Sequence, residues 1–123
     1  MEFATSVHCM DGRIQEPVLR FIKKNYNARY VDIITEPGPC QILLQGPEHP
    51  LFESICRRVS ISTQKHGSNI LFISGHHDCA GNDVSKECQV RQLEEGEVHL
   101  RNRFPNLQIV KLWIDKNWNF ETV

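Results

Sequence analysis

Asn69-Ile70-Leu71-Phe72-Ile73-Ser74-Gly75-His76-His77-Asp78-Cys79 is an apolar run that breaks into two imidazoles, a carboxylate and a thiol. A short β-rich run bounded by glycine reads as a buried strand. Open α/β sheets hold their ligands at the carboxyl ends of such strands, which is where this polar cluster falls. The stretch therefore asks for a layered α/β fold and places chemistry at one edge of it.

The rest of the chain supplies that fold. Phe3 to His8 reads as a first strand that ends in the polar break Cys9-Met10-Asp11-Gly12-Arg13. Gln15-Glu16-Pro17-Val18 opens a helix with an apolar face of Val18, Leu19, Phe21, Ile22 and Tyr26. Tyr30 to Thr35 is a second strand, stopped by Glu36-Pro37-Gly38-Pro39. Between Cys40 and Pro50 the pattern is least legible, with Gln41 to Gln45 expected as a short strand or a packed loop. Leu51, Phe52, Ile55, Cys56 and Val59 recur at helical spacing, which predicts a helix from about His49 to Lys65, ending near Gly67. After the third strand, Asp83 is placed to cap a helix with Val84, Cys88 and Leu93 in its core face and a break expected at Gly96. Leu107 to Ile114 is a fourth strand, and Asp115-Lys116-Asn117 turns into a last one at Phe120 to Val123. The order β-α-β-α-β-α-β-β predicts one α/β domain over residues 1–123. It is a three-layer fold: four mainly parallel strands plus a short C-terminal antiparallel strand, with helices on both faces. Strands one and three are expected as neighbours at the switch point, which would bring Cys9 beside the His76–Cys79 pair.

Composition narrows the function. A chain of 123 residues with 40% hydrophobic and 24% charged residues is long enough for a real core. A net charge of -1, without a run of Lys or Arg, offers no attraction for nucleic acid or anionic lipid. No apolar stretch approaches the ~18 residues of a membrane span, and the acidic start Met1-Glu2-Phe3 is no secretory signal, so a cytoplasmic protein is expected. Five scattered cysteines favour reduced thiols or metal ligands over disulfides.

Cys9, His76 and Cys79 give two thiolates and one imidazole, a donor set that favours zinc. Three protein ligands leave a fourth position for water, as in catalytic zinc sites, whereas structural sites are closed by four. Asp11, two residues after Cys9, is expected on the same side of the chain, where it either binds the metal or accepts a hydrogen bond from zinc-bound water. Arg13 is placed to clamp that carboxylate bidentately. The expected product is an oriented zinc hydroxide, because zinc lowers the pKa of its water to about 7. If Asp11 instead closes the fourth position, the same residues make a non-catalytic zinc-binding or sensing module.

The pattern C-x-D-x-R, here Cys9-Met10-Asp11-Gly12-Arg13, followed by G-H-x-x-C, here Gly75-His76-His77-Asp78-Cys79, resembles the β-class carbonic anhydrases. The similarity extends loosely to the final hairpin around Ile109 to Val123. It implies zinc on Cys9, His76 and Cys79, a catalytic dyad of Asp11 and Arg13, and hydration of carbon dioxide to bicarbonate. Relatives that hydrolyse carbonyl sulfide or carbon disulfide supply an alternative, and the family's habit implies a homodimer or higher homo-oligomer. The sequence departs from the pattern in three places. It starts only eight residues before Cys9, without the family's helical arm. It reads Thr35-Glu36-Pro37-Gly38-Pro39 where an Arg-Asn-Ala-Gly-Asn-like segment is usual, and Ala80-Gly81-Asn82 where glycine usually follows the cysteine directly.

Other conspicuous residues have plainer readings. Cys9 and Cys79 are also at home as buried small hydrophobes, but their spacing with His76 favours ligands. His77 reads as an exposed loop histidine and His8 as a hydrogen-bonded core or interface residue. Asp78 fits equally an orienting contact to a ligand and a turn cap. Cys40, Cys56 and Cys88 have no partner at metal spacing, and Cys56 and Cys88 fall on apolar helix faces. Trp113 and Trp118, remote in sequence from the site and near the terminal hairpin, are expected as core and interface anchors and not as ligand contacts.

Overall fold

β3 (Ile70–His76) is buried at every position and is the middle strand of a five-stranded sheet. The computed structural model describes residues 2–123. In chain order the other elements are β1 (Phe3–Cys9), α1 (Gly12–Tyr26), β2 (Tyr30–Glu36), α2 (Pro39–Gln45), a 3-10 turn (Gly46–Glu48), α3 (Phe52–Lys65), α4 (Lys86–Arg103), β4 (Gln108–Ile114) and β5 (Phe120–Thr122). The sheet order is β2-β1-β3-β4-β5; the first four strands are parallel and β5 pairs antiparallel with β4. This is the three-layer α/β arrangement expected from the sequence, with β1 and β3 adjacent.

The two faces of the sheet have separate cores. On one, α1 lays Ile14, Val18 and Ile22, spaced by four residues, against Ala4, Phe72, Leu112 and Ile114. On the other, α2, α3 and α4 bury Leu43, Phe52, Ile55, Val59, Leu93 and Leu100 against Val7, Leu71 and Ile73. Each fully buried side chain of this size stabilises the fold by about 1.5–3 kcal/mol. The connections leave β1 and β3 toward opposite faces, so a crevice opens between their carboxyl ends. The β1–β3 ladder runs from Thr5–Leu71 to Val7–Ile73, and the metal-type side chains begin just beyond it.

Several local expectations need correction. Gln41–Gln45 is neither strand nor loop: Gly38, at φ 58, and Pro39 at the first helical position start α2. The same Gly-Pro pair that stops a strand is pre-organised to begin a helix. α1 starts at Gly12, before Gln15, because the Asp11 carboxylate caps it by accepting from the Arg13 N–H at 2.9 Å. α3 starts at Phe52, after the 3-10 turn and Pro50 have used the preceding residues. The cap of α4 is Ser85, whose hydroxyl accepts from the Cys88 N–H at 3.1 Å, so Asp83 and Val84 lie outside the helix and Val84 is exposed. Cys88 is only half-buried. α4 also runs unbroken through Gly96, where a Cβ would stand 2.7 Å from the Leu43 Cβ. That glycine marks the close approach of α2 to α4, not a break.

Candidate metal centre

Cys9 ends β1, His76 ends β3, and Cys79 follows in the loop after β3. All three are buried, and their Sγ and ring-nitrogen atoms lie within 4.8 Å of one another. Among the described residues this is the one group of histidine, cysteine and carboxylate atoms drawn together in this way. The two sulfurs are 3.8 Å apart. A disulfide would need about 2.0 Å. Two sulfurs each about 2.3 Å from one tetrahedral zinc stand roughly 3.8 Å apart.

His76 supplies the second mark of a ligand. Its Nδ1 lies 2.7 Å from the His77 carbonyl, which can only accept, so Nδ1 carries the proton in the neutral ring. Nε2 is then left with a free lone pair, buried and without any hydrogen-bond partner. An orphaned acceptor is costly unless something fills its place. Burial holds the ring below the usual histidine pKa and favours that neutral form. Backbone groups close in on the sulfurs. The Gly38 N–H donates to Cys9 Sγ at 3.5 Å, and the backbone N–H groups of Gly81 and Asn82 face Cys79. Burial and then the neighbouring Cys9 thiol push Cys79 up to about 11.

The two segments that depart from the family pattern meet here. Gly38 is left-handed, and a Cβ on it would stand 2.6 Å from the Asn82 Cβ; one on Gly81 would stand 2.7 Å from the Pro37 carbonyl carbon. The paired glycines let these backbones approach closely, and the Gly38 N–H reaches the Cys9 sulfur. Cys40 sits behind the pair as a protonated thiol: it donates to the Ser74 carbonyl at 3.3 Å, and burial raises its pKa far above the usual range.

Asp11 stands outside the three-residue group. Its carboxylate accepts from Arg13 Nη2 at 2.7 Å and from Arg13 Nε at 3.1 Å, besides the backbone N–H already described. The Arg13 hydrogen bonds hold the Asp11 carboxyl down to about 2. Arg13 reaches further. Its Nη1 donates to Asp78 Oδ2 at 3.2 Å and its Nη2 to the Asp78 carbonyl at 3.1 Å, tying the loop after β1 to the loop that carries Cys79. The indole of Trp118 lies under the guanidinium, 5.4 Å from its carbon.

Trp118 is thus next to the site although remote from it in sequence, because the β4–β5 turn folds back over α1. Asp78 and Trp118 are two of the three non-glycine residues with positive φ among the described residues, at 57° and 63°. Left-handed backbone at such residues persists where the surroundings over-determine it, and both meet on Arg13. Trp118→Ala should speed hydrogen exchange of the Arg13 Nε–H several-fold by NMR, while Trp118→Phe, which keeps an aromatic face, should stay near wild type.

The remaining expectations are met in part. His77 is exposed and His8 is fully buried, hydrogen-bonded to Ser6 and Gln15. Cys56 and Trp113 are core residues.

The family model described as "Putative carbonic anhydrase" matches residues 1–123. The chain belongs to that family. Among solved structures, the β-carbonic anhydrase CafA of the fungal pathogen Aspergillus fumigatus aligns with a TM-score of 0.56 at 11% identity, covering 99% of this chain and 74% of that one. A likeness at that identity shows the shared fold. No curated protein matches by sequence. In this carbonic anhydrase family member, no helix among the described residues is long and apolar enough to cross a membrane.

Proposed function

We propose that the chain is a zinc-dependent carbonic anhydrase that hydrates carbon dioxide to bicarbonate. The observation that carries this reading is the orphaned His76 Nε2 facing two sulfurs 3.8 Å apart, beside a carboxylate that stays outside the group. Cys9, His76 and Cys79 would hold the zinc. When bound, zinc with an open fourth position lowers the pKa of water there to about 7 and so supplies a nucleophile at neutral pH.

The chain's own residues provide the rest. Arg13 uses three N–H groups on Asp11, which leaves about one of roughly four lone-pair sites on the carboxylate for a water proton. With its carboxyl held near 2, Asp11 is an acceptor throughout the neutral range and orients the attacking water by that hydrogen bond. Arg13 fixes the carboxylate plane, and Asp78 and Trp118 fix Arg13.

A second copy of the chain is the partner proposed for this fold. β2 lies at the sheet edge, with Tyr30 and Ile33 exposed, and can pair edge to edge with its symmetry mate. Sedimentation should show dimers or larger assemblies, and Ile33→Lys should shift them toward monomer. Stopped-flow pH-indicator assays on zinc-loaded protein test the reaction: carbon dioxide hydration well above background between pH 6 and 9 supports it. Background rates with carbon dioxide, together with sulfide release from carbonyl sulfide, would assign the site to hydrolysis instead.

A further inference from the structure

Beyond Val7–Ile73, β1 and β3 no longer pair, yet the backbone groups that follow are buried and need partners. Two glutamine side chains supply them. Gln89, itself 2% exposed on the first turn of α4, accepts from the His76 N–H through Oε1 at 3.1 Å and donates from Nε2 to the His76 carbonyl at 3.0 Å. A carboxamide docked on both backbone groups of one residue copies what a neighbouring strand would offer. Gln15 on α1 serves one backbone group of the other strand, its Nε2 donating to the Cys9 carbonyl at 2.9 Å, and it also donates to the Asp11 carbonyl at the start of α1 at 2.6 Å. Its Oε1, 2.9 Å from His8 Nε2, is held by that ring in turn.

Gly75 is fitted to this arrangement. A Cβ there would stand 2.7 Å from Gln89 Oε1, so the amide reaches His76 only past a residue without a side chain.

We propose that Gln89 and Gln15 are positioning residues of the metal centre. The Gln89 amide takes the place of a strand partner for His76 and the Gln15 amide satisfies the Cys9 carbonyl where the sheet splits, and together they set the backbone separation at which His76 meets Cys9 and Cys79. This rests on those three residues being the zinc ligands. The amides touch none of the three ligand atoms, so they act through the backbone alone.

The test uses the full chain with Gln89→Met, which keeps the length of the side chain and removes both hydrogen bonds, and Gly75→Ala, which keeps the amide and displaces it. Zinc affinity measured by chelator competition should fall about 10- to 100-fold in both, the usual effect of losing a group that orients a ligand. In the zinc-free proteins the His76 amide should exchange roughly tenfold faster by NMR, because it has lost its acceptor. Should Gln89→Met fail to fold, Gly75→Ala carries the same comparison, and Gln15→Met tests the other amide by zinc affinity alone. Wild-type zinc affinity in the folded variants, with unchanged His76 exchange in Gln89→Met or Gly75→Ala, would overturn the proposal. If wild type itself binds no zinc, the ligand assignment fails, and the zinc-free exchange rates still decide whether the amides hold the backbone.

Discussion

Cys9→Ser should leave the sheet folded and empty the metal centre. Serine is close in size, and a hydroxyl in that buried position can still accept from the Gly38 N–H. It cannot supply the thiolate. Structural zinc sites gain about 10–16 kcal/mol from their whole ligand set, so one sulfur is worth roughly 3–4 kcal/mol, or a loss of affinity on the order of 10²- to 10³-fold. Zinc per chain after dialysis, by elemental analysis, should drop from one toward zero. Cys88→Ser is the control, since that thiol is half-buried at the start of α4 and lies outside the group. Equal zinc loss in both would place the ion elsewhere.

Asp11→Asn should have the opposite profile: zinc retained, hydration reduced by roughly 10²- to 10⁴-fold, the range for losing a positioned proton acceptor. Arg13→Ala separates charge from geometry. Arg13 holds the Asp11 carboxyl at about 2; without it the value should return toward the ordinary ~3.9. At pH 7 the carboxylate is ionised in either case, so any loss in Arg13→Ala at neutral pH comes from orientation. The sign at low pH follows as well. A carboxyl with a depressed pKa adds stability that is fully present above its unfolded value, near 4, and lost as pH falls toward 2. Arg13→Ala should lose that contribution, and acid unfolding should begin at higher pH. Arg13→Lys keeps the charge but not the fork, and full activity in it would contradict an orienting role.

The order of strands, the switch point and the meeting of Cys9 with His76 and Cys79 could be read from residues because apolar runs ending in polar breaks report strand ends directly. The region after β2 could not, since Pro37-Gly38-Pro39 stops one element and starts the next with the same residues. The contact of Trp118 with Arg13 arises from a turn folding back, which sequence distance hides. Gln89 carries a signal in the sequence. It shares the buried face of α4 with Leu93, Gly96 and Leu100, and a glutamine in a core register has to be hydrogen-bonded to something.

The measurement that bears most directly on the central claim is X-ray absorption at the zinc edge of the zinc-loaded protein. Two sulfurs at about 2.3 Å, one imidazole nitrogen at about 2.0–2.1 Å and one further light ligand are expected. The absence of sulfur, or a third sulfur drawn from Cys40, would contradict the assignment of Cys9, His76 and Cys79 as the ligand set.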